Sequence, residues 1–422
     1  MKIPELLLPA GNLEKLRLAY LYGADAVYCG VPRYSLRARE NEFTMEKLKA
    51  AVNLARALEK KIYFTVNAIP RNSKLASFPK YLDEMAELKP DAFIMADFGL
   101  IDIVRERHPE VSIHISVQTN TMNYASVRFW QKLGATRVIL SREVSIPEVA
   151  EIKQKVPDME LEVFVHGAIC IAHSGRCFMS NYFKQRDANQ GSCNNACRDF
   201  YHIQVKNPRQ HDEWMEIVED PEEGTFLMNS KDLRAIEYLD EIVKAGVDSV
   251  KVEGRTKGEY YVAMVARAYR LALDDLKDGK PFDKNLLKDL DKVASRKYFS
   301  GFLTRGIDRQ IPEEEQNFQN YEEGTSGFSI QKNLGRVTNF NPQTNLVTII
   351  IKNKLSIGDV VEVFNYKERT TKSFEVKEIF YKSERKETVS GGVGEVEIKV
   401  PFHVEIDSFL SVINSNHIAK SF

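Results

Sequence analysis

Four of the five cysteines in this 422-residue chain lie close together, at Cys170, Cys177, Cys193 and Cys197. Their spacing, C-x6-C-x15-C-x3-C, contains only one pair that fits the short knuckles of structural zinc sites. A catalytic thiol needs one cysteine with a histidine partner rather than four together. Four irregularly spaced thiolates suit a [4Fe–4S] cluster, with zinc and unligated thiols as the alternatives. Cys29 stands apart and is interpreted as a buried apolar residue.

Polar side chains follow most of the short apolar runs in the first two thirds of the chain. We select as candidate site residues Arg37, Asn67, Gln118, Arg142, Glu143, His166, Lys251, Glu253 and Arg255. In a parallel α/β barrel, such positions at the carboxyl ends of strands form the active site. The three arginines predict an anionic ligand, because the guanidinium fork binds carboxylate or phosphate bidentately. For KVEGR (251–255), a structural salt bridge between Glu253 and Arg255 or Lys251 is an alternative of nearly equal weight.

Short apolar, β-branched runs alternate with amphipathic helical patterns from the N-terminus to about residue 277. This alternation predicts an α/β fold, a (β/α)8-like TIM-type barrel over residues 1–277 with a cysteine-rich Fe–S insertion at 166–200. Nine runs qualify as strands, among them Thr225–Asp232, so either one lies outside the barrel wall or the barrel is irregular.

The pattern of apolar and polar residues changes after the predicted barrel. Residues 278–327 predict a helical segment followed by a polar linker that is poor in aliphatic residues. From 328 to 422, short alternating strands separated by turns predict a small all-β barrel domain.

The composition of the chain limits which partners and which cellular compartment we expect. The 59 basic and 60 acidic residues give a formal net charge of -1, so any nucleic-acid surface must be local. No apolar run reaches the roughly 18 residues of a spanning helix, and the N-terminal apolar run is too short for a signal peptide. We therefore expect a cytoplasmic protein without membrane contact, whose thiols are reduced or metal-bound. The motifs H-E-x-x-H, G-x-S-x-G and G-x-x-x-x-G-K-[ST] do not occur.

One long segment carries a family resemblance. EVFVHGAICIAHSGRCFMS resembles the signature of the U-32 peptidase family of collagenase-like proteins. YCGVPRYSLRARENEFT, LSREVS, LMNSKDL and KVEGRTKGEYYV resemble further blocks of that family. Members bear a protease name, while better-understood relatives are oxygen-independent hydroxylation proteins with a [4Fe–4S] cluster.

The resemblance implies a function and a ligand set. The branch with this length and domain order converts the tRNA wobble uridine to 5-hydroxyuridine, with prephenate implicated as a co-substrate. Other branches hydroxylate a ribosomal RNA base or act on ubiquinone precursors. Carried over by motif, the cluster ligands are Cys170, Cys177, Cys193 and Cys197, and Arg37, Arg142 and Arg255 are candidates for the carboxylates of prephenate. A collagenase-like peptidase using Cys170 with His166 is the competing hypothesis.

Overall fold

Eight parallel strands close into a barrel in the computed structural model, which describes residues 2–36, 41–199, 203–205, 215–217, 229–307 and 329–413. We number the wall strands β1 (Glu5–Ala10), β2 (Ala26–Gly30), β3 (Lys61–Val66), β4 (Ala92–Met95), β5 (Ile113–Ile115), β6 (Arg137–Ile139), β7 (Glu160–Ala168) and β8 (Ser249–Val252). Each strand pairs with the next, and β8 pairs with both β7 and β1. The predicted TIM-type barrel is confirmed.

The wall strands are buried on both faces, which is why they appear as continuous apolar runs. Helices cover the outside of the barrel at Leu13–Leu21, Met45–Ala57, Asn72–Leu75, Phe78–Glu87, Phe98–Arg107, Tyr124–Lys132, Ile146–Lys155, Leu239–Lys244 and Glu259–Lys277. Polar residues at the loop ends begin several of them: Asn12 accepts from the backbone N–H of Lys15 at 2.9 Å, and Asp97 accepts from that of Leu100 at 3.0 Å.

The ninth candidate strand lies outside the barrel wall. Its described part begins at residue 229, and Asp232–Arg234 forms a short strand antiparallel to the end of β7. The same strand pairs in parallel with Tyr298–Phe299. Of the two alternatives, a strand outside the wall or an irregular barrel, the structure has the strand outside the wall.

The segment between β7 and Asp232 contains the cysteines. Its described parts contain the short helix Met179–Lys184, 3-10 turns at His173–Gly175, Ala188–Gln190 and Ala196–Arg198, and a two-stranded pair, Ile203–Val205 with Met215–Ile217. Most of its remaining residues up to 228 lie outside the described part of the chain.

The C-terminal domain is a curled antiparallel sheet, which confirms the predicted all-β class. In spatial order its strands are Lys372–Glu375, Val360–Phe364, Phe409–Ile413, Gln331–Asn341, Leu346–Ile351, Gly394–Lys399, Ile379–Tyr381 and Glu384–Lys386. Leu355–Ser356 pairs separately with Thr388–Val389. The helix Asn285–Asp291 and a 3-10 turn at Gly301–Thr304 precede this domain, whereas most of the predicted linker, 308–327, lies outside the described residues.

Candidate functional site

A cavity of about 220 Å³ opens at the carboxyl ends of the barrel strands, and all four clustered cysteines line it. The predicted residues that line it as well are Asn67, Gln118, Arg142, Lys251, Glu253 and Arg255. Arg37 lies outside the described residues, although its neighbour Leu36 lines the cavity. Glu143 and His166 are not among the lining residues. The barrel therefore brings a thiol cluster and a set of anion-binding side chains to one place.

Arg142 is positioned on the cavity wall by packing rather than by an ion pair. Its guanidinium lies 4.1 Å from the centre of the Phe164 ring, and Nη1 donates to the Ala168 carbonyl at 3.2 Å. Among the described residues, no carboxylate lies within 4.0 Å of it, and its buried Nε has no hydrogen-bond partner there. Its positive charge is therefore available to an anionic ligand.

Arg255 also lines the cavity, but its donors hold the backbone. Nη1 donates to the hydroxyls of Ser35 at 2.9 Å and Thr65 at 3.1 Å, and Nη2 donates to the Leu36 carbonyl at 2.8 Å. The Asn67 side-chain oxygen accepts from the Leu36 N–H at 3.1 Å. These bonds position the chain that leads to residue 37.

Lys251 lies at the cavity floor inside an ion-pair network. Its ammonium is 2.7 Å from Glu162 Oε1 and 4.5 Å from the Tyr28 ring centre, and Glu162 Oε2 also pairs with Arg137 at 3.1 Å. Burial lowers the pKa of Lys251, while the Glu162 carboxylate opposes that shift. Lys251 thus forms a salt bridge with Glu162 of the neighbouring strand, a different pair from the bridge to Glu253 that the sequence suggested for KVEGR. Glu253 lines the cavity and accepts from the Tyr28 hydroxyl at 3.3 Å.

Two of the predicted residues brace the first cysteine loop. Glu143 accepts from the Ser174 N–H at 2.7 Å and from the Ser174 hydroxyl, which fixes Ser174 at a φ of 45° between Cys170 and Cys177. Burial would raise the pKa of Glu143, but these hydrogen bonds outweigh it and lower the pKa. Gln118 Nε2 donates to the Gly175 carbonyl at 3.2 Å, while its buried Oε1 has no hydrogen-bond partner among the described residues.

His166 is buried away from the cavity, in a cage of tyrosines. Its ring centre lies 5.5 Å from Tyr269, 5.9 Å from Tyr261 and 5.3 Å from Tyr298. Burial lowers the pKa of His166 to about 3, so the imidazole is neutral at physiological pH. His166 was predicted as a site residue but is not among the residues that line the cavity, because a register shift in the β7–β8 pairing turns its side chain to the outside of the barrel.

The four clustered thiols are the groups that could hold a cofactor. All are free and partly buried, and the pKa of Cys197 is raised to about 11, first by burial and then by Cys170, Cys193 and Cys177 close by. In the described part of the chain, no three His, Cys, Asp or Glu side chains are gathered tightly enough to hold a single metal ion. The four thiols line one cavity, which is where they could hold a cofactor. Cys29 is fully buried in the barrel core, as expected.

Sequence reasoning did not select three residues that shape the site. Glu162 holds Lys251, Phe164 supports the guanidinium of Arg142, and Ser174 ties the first cysteine loop to the barrel. A signal existed for Glu162 alone: a carboxylate inside the otherwise apolar run LEVFV must find a buried cation.

The comparison with protein families identifies the chain. The model for peptidase family U32 matches residues 11–311. The chain belongs to the U32 peptidase family. It is 46% identical to a tRNA hydroxylation protein P of Escherichia coli (strain K12) over 397 residues, covering 85% of this chain and 86% of that protein.

Two further relatives have names that differ from each other. A tRNA hydroxylation protein P of Haemophilus influenzae is 42% identical over 98% of this chain and 97% of its own length. A protein named collagenase from Porphyromonas gingivalis is 30% identical over 71% of this chain and 72% of its own length. Within the described residues, this U32 protein has no helix long and apolar enough to cross a membrane.

Proposed function

We propose that this protein is a tRNA-modifying enzyme that hydroxylates the wobble uridine to 5-hydroxyuridine without molecular oxygen, using a [4Fe–4S] cluster and prephenate. The observation that carries the proposal is the single cavity lined both by four thiols and by Arg142 and Gln118. The relatives from Escherichia coli and Haemophilus influenzae, which cover at least 85% of the chain, are named tRNA hydroxylation protein P, and this name supports tRNA as the substrate.

The donor set fits an iron–sulfur cluster. Cys170, Cys177, Cys193 and Cys197 would hold it, since four thiolates are its usual ligands and all four line one cavity. Replacing a C5–H bond by C5–OH adds one oxygen atom to the base and removes two electrons, so a redox-active group and an oxygen source other than O₂ are required. When bound, the cluster supplies one-electron redox chemistry at this position.

The protein's own residues bind and orient the co-substrate. Prephenate carries two carboxylates, and the guanidinium of Arg142, 4.1 Å from the centre of the Phe164 ring, presents a planar fork to one of them. Gln118 and Asn67 line the same cavity and add neutral hydrogen-bonding groups. Tyr28 and Phe164 contribute aromatic walls to the same cavity, and an apolar wall beside a charged contact strengthens that contact. Arg37 is a further candidate for the second carboxylate.

A peptidase that used Cys170 as its nucleophile would need a base beside it. The candidate base, His166, is packed among three tyrosines, away from the cavity lined by Cys170, and its low pKa reflects that burial. A nucleophile and its base must lie within hydrogen-bond reach. The geometry therefore favours hydroxylation over the peptidase alternative.

The proposal is tested by analysing cofactor and product together. Full-length protein purified without air should contain about four iron and four sulfide per chain. Cells that lack the gene should lose 5-hydroxyuridine from their tRNA, as measured by nucleoside mass spectrometry, and the wild-type gene should restore it. Cys170→Ser should restore neither product nor cluster, because it removes one ligand.

Cys29→Ser is the matched control, since Cys29 is buried in the barrel core and is not among the residues that line the cavity. It should retain the full iron content and product. Zinc in place of iron would overturn the redox proposal. Loss of iron in the Cys29 variant equal to that in the Cys170 variant would overturn the assignment of the ligands.

A further inference from the structure

Three large aromatic side chains are exposed on the cysteine segment: Phe178 at 67%, Tyr182 at 73% and Phe183 at 51%. We call these three residues the aromatic rim. Tyr182 lies between the other two, with ring centres 6.0 Å from Phe178 and 5.4 Å from Phe183. Exposed aromatic residues that cluster in this way usually mark an interaction site rather than packing.

The aromatic rim borders the thiol cavity. Met179 and Ser180 belong to the same short helix as Tyr182 and Phe183, and both line that cavity. One side of the helix therefore faces the site, while the rim residues are exposed to solvent. A molecule that reaches into the cavity from this side must pass over the rim.

The charge around the rim is positive, in contrast to the chain as a whole. Residues 171–186 contain Arg176, Lys184 and Arg186 and no Asp or Glu, although the net charge of the chain is -1. Arg176 and Lys184 are exposed, and no carboxylate of the described residues lies within 4.0 Å of either. This pattern complements a polyanion.

A second groove continues from the thiol cavity along the rim. It has a volume of about 520 Å³, and its lining includes Phe178, Arg176 and Arg71. Asp187 also lines the groove and lies 3.8 Å from Arg71, which leaves Arg176 as the cation without a carboxylate partner among the described residues. Cys177 lines both the groove and the thiol cavity, so the two share a wall. An extended chain could lie in the groove while one of its units enters the cavity.

We infer that the aromatic rim stacks unpaired bases of a single-stranded RNA loop, while Arg176 and Lys184 contact its phosphates and the neighbouring base enters the thiol cavity. Stacking on aromatic faces beside a cationic groove is how proteins hold unpaired RNA, and enzymes that modify a base take it out of its stack. The inference rests on the proposed function and adds the surface that receives the RNA.

The test measures binding of an anticodon stem–loop RNA to the full-length protein, with 2-aminopurine next to the wobble position. Tyr182→Leu keeps an apolar side chain but removes the stacking face, so affinity should fall roughly 5- to 150-fold and the fluorescence quench should weaken. Tyr182→Trp should retain both. Arg176→Gln should instead reduce the slope of log affinity against log salt by about 0.7, the value for one lost phosphate contact on a single strand.

The matched control is Phe129→Leu, which changes an aromatic residue of 49% exposure on the helix Tyr124–Lys132, outside the rim. It should bind the RNA like the wild type. Wild-type affinity and quench in a Phe178→Leu/Tyr182→Leu variant would overturn the inference. Because binding is measured without co-substrate, the experiment separates the two proposals. If the 5-hydroxyuridine of tRNA does not depend on this protein, the proposed function is wrong. If the rim variants bind the RNA like the wild type, the inference about the aromatic rim is wrong.

Discussion

Two of the arginines that line the cavity, Arg142 and Arg255, differ in what their donors already do. Arg255 donates to Ser35, Thr65 and Leu36, so its removal would release the backbone that precedes residue 37. Among the described residues, the Arg142 side chain makes one hydrogen bond, to the Ala168 carbonyl, and it lies over the Phe164 ring. A charged group that is packed but has no carboxylate partner in the described part of the chain is the better candidate for binding a ligand anion. Within the proposed function, we therefore assign one carboxylate of prephenate to Arg142.

Arg142→Lys should weaken the use of prephenate while leaving the cofactor in place. Lysine keeps the charge but cannot form the planar fork, and hydrogen bonds to charged groups contribute about 1.5–3 kcal/mol. The KM for prephenate should therefore rise roughly 10- to 150-fold, as measured by 5-hydroxyuridine formation at varied prephenate concentration. Arg128→Lys, on the exposed surface of the helix Tyr124–Lys132, should leave KM unchanged. Loss of iron from the Arg142 variant would show that Arg142 supports the cysteine loop instead.

At the level of elements, the closure of the barrel sets the site. β7 and β8 meet at a register shift, where Lys251 pairs with Phe164 and Val252 with His166. The extra residue, Val165, breaks the alternation of the strand, so Phe164 lines the cavity and His166 packs against Tyr269 outside. Gly167 follows at a φ of 103°, and a Cβ there would lie 2.3 Å from the Glu253 carbonyl oxygen.

Gly167→Ala should disrupt this closure. A side chain at this φ costs roughly 1–2 kcal/mol, and the clash with backbone adds about 1–3 kcal/mol. Urea unfolding should thus show a loss of about 2–5 kcal/mol, or no folded protein at all. Gly258→Ala is the control, because a Cβ there meets nothing within 4 Å, and its loss should stay under about 1 kcal/mol. Equal stability of both variants would mean that the closure of β7 against β8 does not depend on a glycine at position 167.

The bulge also marks where the sequence stops being informative. Short apolar runs, helix patterns and clustered cysteines predicted the barrel and the thiol cavity, because those features depend on local residue types. The outward position of His166 depends on one inserted residue, Val165, whose effect appears only when two strands distant in the chain pair. The partner of Lys251 was missed for the same reason: Glu162 lies 89 residues away on the neighbouring strand. Non-local pairing, rather than composition, decides which of the predicted residues line the cavity.

At the scale of the whole molecule, the β domain completes the core of the barrel. Phe364 and Phe409 belong to the barrel's hydrophobic core, and the Tyr22 ring lies 5.9 Å and 6.1 Å from them. Around these rings, Asp407 of the β domain is 2.7 Å from Arg17 and 2.5 Å from Arg336. Since an apolar centre is surrounded by charged pairs, the two domains should move and unfold as one unit.

Acid should loosen this interface. Burial would raise the pKa of Asp407, but Arg17 and Arg336 outweigh it and lower the pKa. A carboxyl whose pKa is lowered in the folded state stabilises the fold above its unfolded pKa, near 3.9, and this contribution is lost as pH falls through the lower folded value. Asparagine tolerates the φ of 67° found at position 407, so Asp407→Asn leaves the backbone unstrained. The substitution should lower the free energy of unfolding at pH 7 by about 1–3 kcal/mol.

The same substitution should also reduce the decrease in stability between about pH 4 and pH 3, as measured by urea unfolding at a series of pH values. Asp278→Asn is the control, since the pair of Asp278 with Lys280 is exposed on both sides and should contribute nothing measurable. If the interface binds the domains as the packing of Phe364 and Phe409 indicates, the Asp407 variant will still unfold in one transition at a lower urea midpoint. Two separate transitions in the wild type would instead mean that the barrel and the β domain are independent, and that the rings of Tyr22 and Phe409 contribute little to holding them together.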